Sequence, residues 1–229
     1  MGKVVFITGT DTDAGKSVVT AQLLRGLARQ GLRTVGMKPV ASGCEARDGD
    51  LWSSDVALHA CASSLKADRA LTSPYRFEPP VSPHIAASEA GVLIDLARLR
   101  SALDALRQAS DLVLVEGAGG WLAPLSDTMS MADLADELAL PVVLVVGMKL
   151  GCINHALLSA RAIMQGQCRL LGWVANQLDP AMLRYDENLT YLKQAMPVPL
   201  LAEVLYEPDA ANKALPCPAL LSLLDQLEG

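Results

Sequence analysis

No two of the five cysteines stand in a C-x-x-C pair, and the set is odd: Cys44, Cys61, Cys152, Cys168 and Cys217. That spacing argues against both a disulfide framework and a zinc site. It leaves the thiols as small core or loop residues. Histidine is scarcer still: His59, His84 and His155 lie far apart, so a transition-metal cluster is not expected. The chain has no basic tract and a net charge of −6, which speaks against nucleic acid and anionic membranes as partners. Long apolar runs are missing too. The longest stretch, Leu138 to Met148, contains Pro141 and stops at Lys149, well short of the roughly 20 residues that span a bilayer. The first apolar strand begins almost at the N-terminus, leaving no room for a leader, and a cytoplasmic protein is the expectation. Gly/Ser linkers and internal repeats are also lacking. A chain of 229 residues, 51% hydrophobic, is therefore expected to form one α/β domain over 1–229.

What the sequence does contain is alternation. Short continuous apolar runs, the mark of buried parallel strands, fall near 3–8, 33–38, 111–116, 141–147, 169–175 and 198–202. Helical spacing falls near 16–30, 53–62, 83–90, 95–108, 130–139, 153–166, 181–195 and 217–227. This predicts a mostly parallel sheet covered by helices on both faces. The segment from Pro74 to Pro83 reads as a structured loop. In such folds ligands gather at the carboxyl ends of strands, so polar residues there are the candidates for function.

The stretch GTDTDAGKS, from Gly9 to Ser17, follows the first apolar run. Measured against the phosphate-loop pattern G-x-x-x-x-G-K-S/T, its first glycine stands one residue early, because Thr10 fills that place. The part with clear mechanics survives. Gly15 lets backbone N–H groups approach phosphate oxygens, Lys16 can reach the β- and γ-phosphates, and Ser17 can ligate Mg²⁺. Apolar residues at 19, 23, 24 and 27 then continue as a helix, whose N-terminus favours an anion.

Three other strand ends carry chemistry. Lys38 follows the second strand beside Pro39 and the small run Ala41-Ser42-Gly43, either as a surface lysine or as a second cation at the phosphates. Glu116 leaves a buried strand for the loop Gly117-Ala118-Gly119-Gly120, where a Mg²⁺ ligand belongs in a phosphate-loop enzyme. Asp55 reads by position as an ordinary carboxylate in the first turn of a helix, with a third metal ligand as the alternative. The turn at Gly151, leading into Cys152, Ile153, Asn154 and a helix, offers a second anion site and suggests a substrate with its own carboxylate.

Taken together, GTDTDAGKS, GMKPVASG (36–43), SPHIA (82–86), VEGAGGW (115–121), PLSD (124–127), KLGCINHALL (149–158) and GWVAN (172–176) resemble the dethiobiotin synthetase family. The resemblance implies a homodimer of single-domain phosphate-loop NTPase subunits, each with a mostly parallel seven-stranded sheet. It implies ATP-dependent carboxylation and ring closure of 7,8-diaminononanoate with CO₂, with Mg²⁺ as cofactor. Lys16 and Lys38 would be the catalytic lysines, and Ser17, Asp55 and Glu116 would surround the metal. Asp13, Ala14, Gly15, Val18, Gly117, Ala118 and Gly119 would line the nucleotide. Asn176 and Gln177, with Leu205, Tyr206 and Glu207, would border the adenine. Thr12 and Ser42 would touch the diamine, and Gly151, Cys152, Ile153 and Asn154 would hold its carboxylate across the dimer interface. A switch ATPase of the partitioning type, or a plain nucleotide-binding module, is the rival reading. The former carries a lysine early in its phosphate loop, where Thr10, Asp11 and Thr12 stand here.

Overall fold

Alternate residues of the first strand, β1 (Lys3–Gly9), face opposite layers: Val4 and Phe6 join one buried cluster, Val5 and Ile7 the other. Both faces are covered, so the strand is apolar throughout rather than alternating. The computed structural model describes residues 1–226. After β1 come α1 (Lys16–Ala28), β2 (Thr34–Met37), β3 (Val40–Ala41), β4 (Glu45–Arg47), β5 (Asp50–Trp52), α2 (Ser54–Ala62), α3 (Arg69–Thr72), β6 (Tyr75–Arg76), α4 (Pro83–Glu89) and α5 (Leu96–Ala109). The second half runs β7 (Leu112–Glu116), α6 (Met131–Glu137), β8 (Val142–Met148), α7 (Cys152–Gln165), β9 (Leu170–Gln177), α8 (Tyr185–Ala195), β10 (Leu200–Val204) and α9 (Pro218–Asp225). The last helix is expected over 217–227, of which residue 227 lies outside the described residues.

The main sheet orders its strands β10-β9-β8-β1-β7-β2, and every pairing in it is parallel. Helix α1 packs Val19, Leu23, Leu24 and Leu27 on one face with Leu220 and Leu224 of α9. Leu99, Leu103 and Leu106 of α5, Leu134 of α6 and Ala156, Ala160 and Ile163 of α7 cover the other.

The expected seventh strand is not in this sheet, which has six strands among the described residues. Its β2 edge is already satisfied. The outward N–H groups of Thr34, Gly36 and Lys38 donate to Ser64 Oγ at 2.8 Å, Ser63 Oγ at 2.9 Å and the Thr72 carbonyl at 2.7 Å. These acceptors lie at the end of α2 and in α3, and they occupy the place another strand would take. Beyond Pro39, β3 pairs with β6 in a separate parallel ladder. The segment from Pro74 to Pro83 therefore contains a short strand as well as a loop. The hairpin β4–β5 turns through Asp48 and Gly49, both at positive φ.

Candidate active site

Strand β1 delivers the phosphate loop, and residues of β8 and β9 hold it in place. Gly15 sits at φ 83°, the left-handed region, where a Cβ costs roughly 1–2 kcal/mol. A Cβ there would also lie 2.0 Å from Asn176 Nδ2, because that amide reaches across from β9 to donate to the Ala14 carbonyl at 2.9 Å. Glycine is required twice over. On the β8 side, Thr10 N–H donates to the Val145 carbonyl at 3.0 Å and Thr10 Oγ1 accepts the Gly147 N–H at 3.2 Å. Helix α1 then begins with no acidic residue in its first turn. Its leading N–H groups have no helical acceptors, so this end of the helix favours an anion.

Lys16 is only 4% exposed and curls over its own loop, donating to the carbonyls of Asp11 at 2.8 Å and Thr12 at 3.0 Å. Burial draws its pKa from 10.5 down to about 8; Glu116 resists the fall and Lys38 adds to it.

Glu116, at the end of β7, is fully buried and is the hub of the site. Its Oε1 accepts from Ser17 Oγ at 2.8 Å and from Lys38 Nζ at 2.6 Å. Lys38 also donates to Asp55 Oδ2 at 3.0 Å. Burial would raise the Glu116 pKa, but Lys38 and then His59 outweigh it and hold the carboxyl well below its ordinary range. For Lys38 burial works downward, and Glu116 and Asp55 reverse it, leaving the ammonium above its usual value. Lys38 is thus a buried, paired cation rather than a surface lysine. Asp55 occupies the first turn of α2 behind the Ser53 cap, so it is a helix N-terminal carboxylate and a partner of Lys38 at once.

His59 is the residue that sequence reasoning missed. It is 1% exposed, and its Nε2 approaches Glu116 Oε2 to 2.7 Å without the alignment of a hydrogen bond. Gly36 leaves room for it, since a Cβ there would come within 2.8 Å of the His59 Cβ. The available signal was the four-residue spacing from Asp55 on one helix, which places both side chains on the same face.

Thr12, Asp13, Gly15, Lys16, Ser17, Val18, Lys38, Ser42, Asp55, Glu116, Ala118 and Gly119 line one cleft of about 390 Å³. Ala14 is buried beneath the loop, and Gly117 backs onto Phe6, whose ring would lie 2.9 Å from a Cβ at that position. The remaining positions lie outside this cleft. Gln177 Oε1 accepts the Tyr206 N–H at 3.1 Å, which ties the segment of Leu205, Tyr206 and Glu207 to the end of β9 near Asn176. Gly151, at φ 96°, starts α7 with Cys152, Ile153 and Asn154 in its first turn. A second cleft of about 380 Å³ touches Lys3, Val4, Arg107 and Pro141. It sits at the opposite end of the sheet and shares no residue with the phosphate loop.

The donor set suits Mg²⁺. Ser17 Oγ, Asp55 and Glu116 offer hard oxygens within one cluster, and the buried Glu116 Oε2 has no aligned hydrogen-bond partner. Among the described residues no three His, Cys, Asp or Glu side chains form a metal cage. A small hard cation that keeps water and phosphate ligands needs no such cage.

The geometry has counterparts among known proteins. A family model described as an AAA domain matches residues 3–214. The ATP-dependent dethiobiotin synthetase BioD of Nitrosospira multiformis is 49% identical over 207 residues, covering 90% of each chain. That of Aromatoleum aromaticum is 50% identical over 199 residues, covering 87% of this chain and 88% of the relative. This chain belongs to the dethiobiotin synthetase family. A dethiobiotin synthetase of Escherichia coli K12 matches at 48% over 204 residues.

Solved structures add the fold. Septum site-determining protein MinD with Mg-ADP from Pyrococcus horikoshii aligns with a TM-score of 0.58 at 13% identity, over 100% of this chain and 96% of that one. A ParA family ATPase from Chlorobium tepidum gives 0.55 at 13%, over 100% and 92%. The dethiobiotin synthetase family therefore shares its phosphate-loop architecture with these ATPases. The likeness goes no further than fold, and Thr10, Asp11 and Thr12 stand where the partitioning type carries its early lysine.

Proposed function

We propose that Lys16 and Lys38, set around the phosphate loop, carry the dethiobiotin synthetase reaction in this chain. That reaction is the ATP-dependent carboxylation and ring closure of 7,8-diaminononanoate with CO₂, giving dethiobiotin, ADP and phosphate; it is a ligase step of biotin synthesis. The observation that carries the assignment of roles is the cluster of buried Lys38 and Glu116 with half-buried Ser17 in the cleft that Lys16 also lines.

The chemistry follows from charge. One substrate amine captures CO₂ as a carbamate anion, which attacks the γ-phosphoryl group to give a carbamic-phosphoric anhydride; the second amine displaces phosphate and closes the ring. Two anionic reactants must therefore meet. Lys16 leaves the carbonyls of Asp11 and Thr12 to pair with phosphate oxygens, and Lys38 offsets the charge that develops on the transferring group. Ser17, Asp55 and Glu116 would hold Mg²⁺, which when bound neutralises phosphate charge. Glu116 keeps Lys38 protonated and in place. Ser42 and Thr12 border the diamine.

The carboxylate of the diamine acid is gripped by the N–H groups from Gly151 to Asn154 of a second protomer. Support for this reading comes from their position outside the nucleotide cleft and from Leu150, which is 94% exposed beside the turn. The chain thus works as a single domain within a homodimer, in the cytoplasm. No helix among the described residues is long and apolar enough to cross a membrane. The test is ADP release measured with diamine and bicarbonate together and with each omitted. Release that needs both supports the synthetase reading, and release independent of the diamine contradicts it.

A further inference from the structure

The phosphate loop and the turn at Gly151 lie at the carboxyl ends of the adjacent strands β1 and β8, and an ion pair joins them. Lys149 Nζ lies 2.8 Å from Asp11 Oδ2. Asp11 belongs to the phosphate loop. Lys149 belongs to the turn before Gly151, which is closed by the Cys152 N–H donating to the Lys149 carbonyl at 2.9 Å. Asp11 is held from three directions. Its carboxylate also accepts the Thr12 N–H at 2.8 Å, and its carbonyl accepts the Lys16 ammonium at 2.8 Å. The bond from Lys149 is the main reason its carboxyl titrates below the ordinary range.

Neither Asp11 nor Lys149 lines the cleft, and the chemistry needs neither. We infer that they form a brace that couples nucleotide binding in the phosphate loop to the grip of the α7 turn on the substrate carboxylate. The inference rests on the substrate reading above. When Lys16 turns from the Asp11 and Thr12 carbonyls to the phosphates, the Asp11 segment is the part of the loop that registers the change. Lys149 passes that change to the backbone from Lys149 to Asn154. In the dimer this turn serves the neighbouring protomer, so each brace links one nucleotide site to its partner's diamine site. Such coupling is reciprocal, and it is measured as the ratio of diamine affinities with and without nucleotide. Both side chains are near half exposed, at 41% and 45%. A pair of that kind is worth a factor of about two to five.

The experiment titrates 7,8-diaminononanoate calorimetrically into the full chain, with and without a saturating non-hydrolysable ATP analogue. The analogue is expected to tighten diamine binding about fivefold in the unaltered chain, and Lys149→Met is expected to cut that ratio by about two- to fivefold. Asp11→Asn tests the pair from its other end and should lower the ratio likewise. Lys149→Arg should keep most of it, and Asp11→Lys combined with Lys149→Asp should restore part. An unchanged ratio in Lys149→Met and Asp11→Asn, with normal diamine binding, overturns the brace alone. Absence of diamine binding by the unaltered chain overturns the substrate reading and the brace with it.

Discussion

Lys38 Nζ and Glu116 Oε1 lie 2.6 Å apart, with the two side chains 7% and 0% exposed. Each is the other's largest compensating charge in the interior, with Asp55 also supporting Lys38 and His59 also supporting Glu116, so the pair is coupled in stability. Removing one partner of a buried pair leaves an uncompensated charge and costs about 3–5 kcal/mol. Lys38→Met should therefore lower the unfolding free energy by an amount of that order, and should reduce turnover by roughly 10²–10³. Denaturant melts and ADP release check the two effects separately. Near-normal turnover at saturating substrates would remove Lys38 from the chemistry.

Lys16 should separate from Lys38 by its pH dependence. Its folded pKa of about 8 lies below the ordinary 10.5. Bound phosphate favours the charged form, so affinity for MgADP should weaken as pH rises through about 8, and Lys16→Ala should flatten that limb. Stability moves the other way. The cost of burying the charge is fully present below about pH 8 and is released between there and 10.5, where the unfolded chain binds the extra proton, so this group makes the fold more stable as pH climbs. A MgADP affinity that is constant from pH 7 to pH 9.5 would contradict the assignment.

Glu116→Gln keeps the shape of the site but removes the charge that Ser17 and Lys38 meet. The expected outcome is a higher Mg²⁺ concentration for half-maximal activity, read from a metal titration. Full activity in excess chelator would show that no divalent ion is involved.

Much of this arrangement was legible in the sequence, for a physical reason. Strands buried on both faces are apolar throughout, as in Leu112-Val113-Leu114-Val115, so a charged residue at their ends, such as Glu116, stands out. What escaped was set by tertiary packing. His59 has an ordinary helical position, and only the space beside Gly36 brings it to Glu116. The edge of β2 is closed by Ser63, Ser64 and the Thr72 carbonyl, which no local pattern announces, and the seventh strand that the family resemblance implies is not in the main sheet among the described residues. The Asp48-Gly49 dipeptide of the β4–β5 hairpin is by contrast a local turn signal, with both residues at positive φ. Helix α8 begins at Tyr185 rather than near 181, because Arg184 adopts a left-handed conformation before it.

The proposed grip of the Gly151 turn on the substrate carboxylate makes a prediction about the substrate. Each charge-assisted hydrogen bond contributes roughly 1.5–3 kcal/mol, so the decarboxylated analogue of the diamine acid should lose on the order of tenfold to a few hundredfold in kcat/KM at fixed MgATP. Equal values for the two compounds would mean that the N–H groups from Gly151 to Asn154 bind something else.

Two glycines of the same conformation should differ in what replacement does. Gly151 has no atom of its own chain within 4 Å of where a Cβ would stand, so Gly151→Ala should cost the fold of the chain only the left-handed penalty of roughly 1–2 kcal/mol. Gly15→Ala adds a clash with the Asn176 amide and should displace the phosphate loop as well. Thermal melts together with MgADP affinity distinguish them: Gly151→Ala keeps nucleotide affinity and Gly15→Ala loses it.

The most direct test of the account is the fate of the carbon. Purified chain is incubated with 7,8-diaminononanoate, ¹³C-bicarbonate and MgATP, and products are read by mass spectrometry beside ADP. The account predicts dethiobiotin labelled at the ureido carbonyl, with one ADP formed for each molecule. ADP formed without labelled dethiobiotin would contradict it.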